Sequence, residues 1–217
     1  MPSHTILRRL AKRWQRQAVP RRYALLDHGL KVVVNRLADA GYPVSCASCS
    51  AAHCCKYFVN VYPEEAALVA AAVRNTPFEE RLHDWWQHYQ ELPDDAKWQP
   101  TEYLRAQLMC PFQFEGRCAI YPIRPSSCRA QFVVSAPVEC NNPDSALSQT
   151  LDAYFVLEQT YFSRGATQYP GQFGNLHLGV LGILGVSEAE HWYHRARTRQ
   201  LQSEDPREGA ERIPIKI

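Results

Sequence analysis

The chain has 217 residues, of which 46% are hydrophobic and 21% charged, and 24 basic against 22 acidic residues leave a formal net charge of +2. This composition is typical of a soluble globular protein with one sizeable core, and the small net charge excludes a global field that selects nucleic acid. The longest apolar run, residues 176–186, is interrupted by three glycines and a histidine and is too short to span a bilayer. Because the N-terminus also lacks the apolar stretch of a secretory signal, we expect a cytoplasmic protein whose thiols stay reduced.

Residues 1–22 form a basic segment with seven arginines and lysines and no acidic residue before Asp27. Its apolar residues recur near helical spacing and predict a basic amphipathic helix. These residues are Ile6, Leu7, Leu10 and Trp14. One hypothesis is that the helix contacts an acidic partner or a membrane surface, and the other is that it is solvated and folded onto the domain. The helical pattern continues to about Ala40, which argues against a cleaved transit peptide.

A short β element and a helix are predicted directly after the first group of cysteines. Residues 57–62 have the composition of a strand. Pro63, followed by two glutamates, predicts a helix over residues 63–73, because proline suits the first turn and acidic residues there favour the helix dipole. A further short helix over residues 101–109 is predicted to lead directly to Cys110.

A second helix start signal lies a few residues further along. Thr76 precedes Glu79 by three residues, which predicts a capping box and a helix that runs to about Leu92. The large apolar residues of this helix are Leu82, Trp85, Trp86 and Tyr89. No basic residues interleave with them, so we expect them in the core rather than in a stacking platform for bases.

The last third of the chain is predicted to be mainly helical. Residues 130–135 are typical of a strand, residues 145–163 of a long helix, and another helix is predicted to start near Ser187. The segment GVLGILG, residues 179–185, places small residues three apart, which permits close backbone packing and does not match a dinucleotide-binding fingerprint. The tail, residues 205–217, is expected to be flexible.

Seven cysteines form two sets that point to one metal site. The first set lies in CASCSAAHCC and consists of Cys46, Cys49, Cys54 and Cys55; the second consists of Cys110, Cys118 and Cys128. A thiolate is a strong, soft ligand, and a C-x-x-C pair can place two sulfurs on one metal with little loop entropy to overcome. In a reducing compartment, this many cysteines favour metal binding over disulfides.

The number of sulfurs leaves three kinds of site open. One tetrahedral metal or one [4Fe–4S] cluster needs four thiolates, whereas two tetrahedral metals sharing a bridging thiolate need seven. Cys54 and Cys55 are neighbours whose side chains should diverge, so they fit best when they serve different metals or when one of them bridges. We therefore rank a zinc or iron site with more than one metal first, an iron–sulfur cluster second and a single structural zinc third. Redox catalysis by the C-x-x-C pair is a further alternative.

Other residues near the cysteines are predicted to support the site. Four cations lie within four residues of a proposed ligand and can donate hydrogen bonds to sulfur or to a nearby carboxylate. They are Lys56, Arg117, Arg124 and Arg129. The role of His53, as a ligand or a surface group, and that of Cys140, as a ligand or a buried small hydrophobe, stay open.

The order C-x-x-C-x(4)-C-C, C-P, G-x-C, I-Y-x-x-R-P and C-R over roughly residues 43–135 resembles the YkgJ-type cysteine-cluster family, which is named for a zinc- or iron-chelating domain. The resemblance implies that the chelating set is Cys46, Cys49, Cys54, Cys55, Cys110, Cys118 and Cys128. It also points to motif positions near the site, namely Tyr121, Arg124, Pro125 and Arg129. It implies no reaction, although some related cysteine-cluster proteins are linked to lysine methylation of flagellin.

The expected fold class is mainly α with a short β element, around an irregular cysteine-rich centre that is held together by metal and packed by helices. The expected parts are a basic N-terminal helical segment (1–42), a cysteine-cluster metal-chelating domain (43–140), a C-terminal helical region packed on it (141–204) and a flexible tail (205–217). The first functional hypothesis is a zinc- or iron-chelating protein. The alternatives are an iron–sulfur enzyme with redox or methylation-like group-transfer chemistry, and an interaction protein that docks through its basic helix.

Overall fold

The computed structural model describes residues 18–41, 53–129 and 174–193. Several sequence predictions lie outside the described residues. They concern the basic segment before residue 18, Cys46, Cys49, Cys140, the strand over residues 130–135, the helix over residues 145–163 and the tail from residue 205.

The described residues are mainly helical with a small β content, which confirms the predicted fold class. The α-helices are α1 (Ala18–Asp39), α2 (Pro63–Val73), α3 (Pro77–Glu91), α4 (Pro100–Arg105), the single turn α5 (Ser126–Arg129), α6 (Leu176–Leu184) and α7 (residues 187–193). The strands are β1 (Asn60–Val61), β2 (Gln113–Phe114), β3 (Arg117–Cys118) and β4 (Gly174–Asn175). Short 3-10 helices cover His53–Lys56, Asp95–Lys97 and Tyr121–Ile123. Strands β1 and β4 pair antiparallel, and β2 and β3 form a hairpin.

Helix α3 starts where the sequence predicted, with one change in its cap. The Thr76 hydroxyl accepts a hydrogen bond from the backbone N–H of Phe78 at 3.3 Å, as an N-cap residue should. The Glu79 carboxylate, however, accepts from the N–H of Asn75 at 2.6 Å instead of the N–H of Thr76. Asn75 has a positive φ of 59°, which turns its N–H toward the helix start.

Two predicted elements are shorter in the structure. Strand pairing covers only Asn60–Val61, because the partner strand ends at Asn175, whose side chain caps α6. The helix predicted over residues 101–109 ends at Arg105, and Gln107 adopts a left-handed φ of 54° that an α-helix cannot contain. The chain therefore reaches Cys110 through a turn and not through a helix.

The core lies between α2, α3 and α6. The predicted apolar residues of α3, from Leu82 to Tyr89, are buried as expected. The close packing predicted for GVLGILG is also present, since a Cβ built on Gly179 would lie 3.1 Å from the Ala66 Cβ and 3.0 Å from the Tyr193 ring. Helix α6 therefore sits directly on α2.

The first turns of helix α1 form a second, smaller hydrophobic cluster. Val19, Tyr23, Leu26 and Leu30 are buried in it, and Tyr62 and Leu68 pack against it. Among the described residues, no helix combines the length and the apolar character needed to cross a membrane.

Candidate metal centre

The structure brings the two cysteine segments together around one cavity of about 160 Å³. The cysteines that line it are Cys54, Cys55, Cys110, Cys118 and Cys128. The rest of the wall is mainly apolar and consists of Tyr57, Phe58, Val59, Leu104, Ile120 and Leu176, with Arg124 and Ser127. None of these five cysteines forms a disulfide. Five of the seven cysteines that the sequence singled out thus share one enclosure.

Backbone hydrogen bonds hold the first two cysteines next to the third. Cys54 and Cys55 lie in the 3-10 helix His53–Lys56, and both face the cavity although neighbouring side chains were expected to diverge. The N–H of Cys110 donates to the carbonyl oxygen of Cys55 at 2.7 Å. The main chain therefore joins the segments without needing any side chain.

The β2–β3 hairpin positions Cys118. Its turn contains Glu115 and Gly116, both with positive φ angles, of 49° and 75°. The tight turn is possible because glycine tolerates this region at no steric cost. The N–H of Ala119 donates to the carbonyl oxygen of Phe112 at 2.8 Å and closes the hairpin on the cavity side.

Cys128 is positioned by contacts of the two serines that precede it. The N–H of Ser126 donates to the buried carboxylate of Glu65 at 2.8 Å, and the Ser127 hydroxyl donates to the carbonyl oxygen of Asn60 at 2.6 Å. These bonds attach α5 to the start of α2 and to β1. The sequence did not single out Glu65 for this role.

The five thiols surround a common cavity rather than a common point. Within the described ranges, no three side chains of His, Cys, Asp or Glu stand close enough together to hold a metal ion.

Cys54 and Cys55 have opposite acid–base character. The hydrogen bond from Cys55 lowers the pKa of Cys54 to about 7, against the effect of burial. The same bond, with burial and the other sulfurs, raises the pKa of Cys55. Cys54 is therefore the thiol of the pair that ionises more readily.

The deeper thiols are harder to ionise without a compensating cation. Burial raises the pKa of Cys110 to about 12, and burial and neighbouring sulfurs raise the pKa of Cys128. Burial also raises the pKa of Cys118, while the guanidinium of Arg124 opposes this shift. A bound metal ion supplies the positive charge that such a set of sulfurs lacks.

Of the four cations predicted near the site, Arg124 is the one that lines the cavity. Its guanidinium lies 4.2 Å from the centre of the Tyr121 ring. Arg129 instead donates to Asp27 at 2.5 Å and to the carbonyl oxygen of Arg124 at 2.8 Å, so it connects α1 to the turn that precedes α5. Lys56 donates to Gln107 at 2.5 Å.

Arg117 is exposed on the hairpin. The structure describes the backbone of His53 but not its side chain, so its two predicted roles, as a ligand or as a surface group, stay predictions.

His177 is a site residue that sequence reasoning missed. Its Nε2 atom lies 3.2 Å from the Cys110 sulfur, and only 1% of the residue is exposed. Burial lowers the pKa of His177 to about 3, which keeps the ring neutral. The available signal was a histidine in an otherwise apolar helix, which is costly unless the ring has a partner.

Comparison with known families agrees with the cysteine pattern. Residues 45–145 match the family CxxCxxCC, described as "Putative zinc- or iron-chelating domain". This segment is similar to that cysteine-cluster family. The match confirms the resemblance noted from the motifs and covers just under half of the chain. All seven candidate ligands lie within it, whereas β4, α6 and His177 lie beyond its end. No curated protein and no solved structure gave a significant match.

Proposed function

We propose that this protein chelates zinc or iron through thiolates from two chain segments and holds more than one metal ion. The proposed ligands are Cys46, Cys49, Cys54, Cys55, Cys110, Cys118 and Cys128. The observation that carries the proposal is the single cavity lined by five of them, drawn from both segments. Cysteines that were merely buried as small hydrophobes would have no reason to gather on one wall.

The chemistry of the cavity fits a thiophilic metal. The part of its wall that the structure describes contains five thiols and no carboxylate, which suits zinc or an iron–sulfur centre and not magnesium or calcium. Its volume of about 160 Å³ is several times the roughly 30 Å³ that one water molecule occupies in the liquid. Room for several atoms, together with seven candidate ligands, supports more than one ion.

The proposed metal has a structural or regulatory role in joining the two segments. Among the described residues, the N–H of Cys110 already joins the segments by donating to the carbonyl oxygen of Cys55, and sulfur–metal bonds would add further cross-links at this point. Because such a site does not exist in the unfolded chain, the free energy of metal binding adds to the free energy of folding.

An iron–sulfur enzyme is the second candidate, and the apolar part of the cavity wall favours it. Phe58, Leu104 and Ile120 enclose space beside the sulfurs, and the buried Nε of Arg124 has no hydrogen-bond partner among the described atoms. An iron–sulfur cluster, when bound, supplies electron transfer. Arg124 would then orient an anionic group of a substrate next to the centre.

Location and partners complete the proposal. We assign the protein to the cytoplasm, since reduced thiols are a condition of the site. The basic segment of residues 1–22 is proposed to contact an acidic partner or a membrane surface.

Anaerobic purification of the full chain, followed by metal analysis and a visible spectrum, tests this function. Colourless protein with zinc supports the chelating protein, and brown protein with iron and acid-labile sulfide supports the iron–sulfur alternative. Folded protein that is free of both metals, and that takes up neither zinc nor ferrous iron on titration, overturns both.

A further inference from the structure

We infer that His177 is a positioning residue that donates a hydrogen bond from Nε2–H to the Cys110 sulfur, so that α6 completes the metal centre from outside the family domain. This inference rests on the proposed function, because it assigns Cys110 to the metal. The Nε2–Sγ distance is 3.2 Å, which is a direct contact for a nitrogen donor and a sulfur acceptor.

The imidazole is held by its own surroundings. Its ring centre lies 4.6 Å from that of Trp85 and 5.7 Å from that of Phe112. Its backbone N–H donates to the side chain of Asn175, the N-cap of α6, at 3.0 Å. The N-terminus of α6 and the two aromatic rings together hold the imidazole in place. A side chain held in this way can position another group, here the Cys110 sulfur.

The geometry assigns His177 to the outer side of the sulfur. Cys110 is among the residues that line the cavity and His177 is not, which favours contact of the imidazole with the sulfur over direct contact with a metal ion. A histidine in that place contacts a ligand, as the groups around metal sites commonly do, and is not itself a ligand.

Hydrogen-bond complementarity decides which ring nitrogen carries the proton. A metal-bound cysteine is a thiolate, which only accepts hydrogen bonds, so Nε2 must be the donor. The Nδ1 atom has no partner among the described residues. With the proton on Nε2, Nδ1 is a bare acceptor, and the ring itself has no N–H without a partner.

The consequence is that the chelating unit of this chain extends past residue 145. Helix α6 brings His177 to Cys110 and Leu176 to the cavity wall, and the N–H of Leu176 donates to the carbonyl oxygen of Val59 at 2.8 Å. A fragment limited to the matched segment lacks all three contacts.

A matched pair of substitutions tests the inference in the full chain. His177→Gln keeps an N–H donor at the end of the side chain, and His177→Met has nearly the same shape without a donor. Removal of such a contact typically lowers metal affinity by about 10- to 100-fold. We expect His177→Met to bind as many cobalt ions as the wild type, with affinity lowered by that factor in a chelator competition. Its sulfur-to-cobalt charge-transfer band should also shift, and His177→Gln should restore both affinity and band toward the wild type.

Other results overturn the inference. If the wild type binds cobalt, and His177→Met has the same cobalt affinity and the same charge-transfer band, the inference is wrong while the proposed function stands. A cobalt spectrum of His177→Met that shows loss of a nitrogen ligand also overturns the inference, because His177 would then be a ligand itself. A wild type that binds no metal overturns the proposed function itself. Should His177→Met fail to fold, as judged by circular dichroism, His177→Phe replaces it. The aromatic neighbours can accommodate that ring, and the same readouts apply.

Discussion

The backbone N–H of Cys110 donates a hydrogen bond to the carbonyl oxygen of Cys55 at 2.7 Å. This bond joins the two cysteine segments through the main chain, next to two of the sulfurs that line the cavity. Because it uses no side chain, it survives substitution of any cysteine. Removing one sulfur should therefore weaken metal binding while leaving the segments adjacent.

Cys54→Ser should lower both the metal content and the melting temperature. A hydroxyl is a poor ligand for zinc or iron, and metal binding contributes directly to folding free energy. Metal analysis and thermal unfolding of the purified variant measure the two effects.

Cys140→Ser is the matched control, since Cys140 is a cysteine outside the seven proposed ligands. We expect it to keep the wild-type metal stoichiometry. No loss in Cys54→Ser would contradict the assignment, whereas an equal loss in Cys140→Ser would make Cys140 a further ligand.

Glu65→Gln should lower the free energy of unfolding by about 1–3 kcal/mol, the cost of leaving a buried partner unsatisfied. One carboxylate oxygen of Glu65 accepts from the N–H of Ser126 at 2.8 Å and the other from the N–H of Tyr62 at 3.1 Å. An amide has only one acceptor oxygen, so its NH₂ group must face one of these backbone donors. Urea unfolding measures the difference.

Glu64→Gln is the control for this substitution. Glu64 is also buried, but one of its oxygens contacts Arg22 at 3.4 Å, and the amide of Gln keeps one oxygen for that partner, so we expect a smaller loss than in Glu65→Gln. Similar losses in the two variants would show that Glu65 has no special role in holding α5.

Gly174→Ala should destabilise the protein by about 1–3 kcal/mol through overpacking. A Cβ at this position would lie 2.7 Å from the Tyr193 ring. The Tyr193 hydroxyl donates to the carbonyl oxygen of Val61 at 3.3 Å, so the ring cannot move aside without weakening this hydrogen bond. Tyr193→Leu removes the clash. In a double-mutant cycle the two changes should therefore cost less together than the sum of their separate costs. Additive costs would mean that the two residues do not meet.

Local signals in the sequence were sufficient for part of the fold. The proline and glutamates at the start of α2 and the Thr76 cap of α3 act within a few residues, so both helices were predicted within one or two residues of their bounds. The chemistry of sulfur also indicated that residues near Cys54 and Cys110 would meet, and the structure brings them together.

Long-range contacts determine the rest, and no local signal in the sequence identifies the two partners of such a contact. Glu65 was predicted only as a helix-start residue, but its carboxylate reaches Ser126, 61 residues away. His177 reaches Cys110 across 67 residues. The partner of β1 is a two-residue strand at Gly174–Asn175, whose composition does not predict a strand. Such contacts depend on how the helices pack, which no pattern within one segment encodes.

Deletion of residues 1–22 should destabilise the protein more than deletion of residues 1–17, by about 1.5–3 kcal/mol for the buried side chain of Val19. Val19 is 2% exposed, and Arg22 pairs with Glu64, so both belong to the packed part of α1. Comparison of the two truncations by urea unfolding measures this difference. Equal stability would contradict the packing of α1. Binding of acidic vesicles is best tested with the shorter deletion, which spares these contacts.

X-ray absorption at the zinc or iron edge tests the central claim most directly, because it counts the atoms bound to the metal. The account predicts a first shell of about four sulfurs per metal at roughly 2.3 Å, with sulfur lost in Cys54→Ser and also in Cys110→Ser. A shell of nitrogen and oxygen alone, or a sulfur shell that changes in only one of the two variants, would contradict a metal centre shared by both segments.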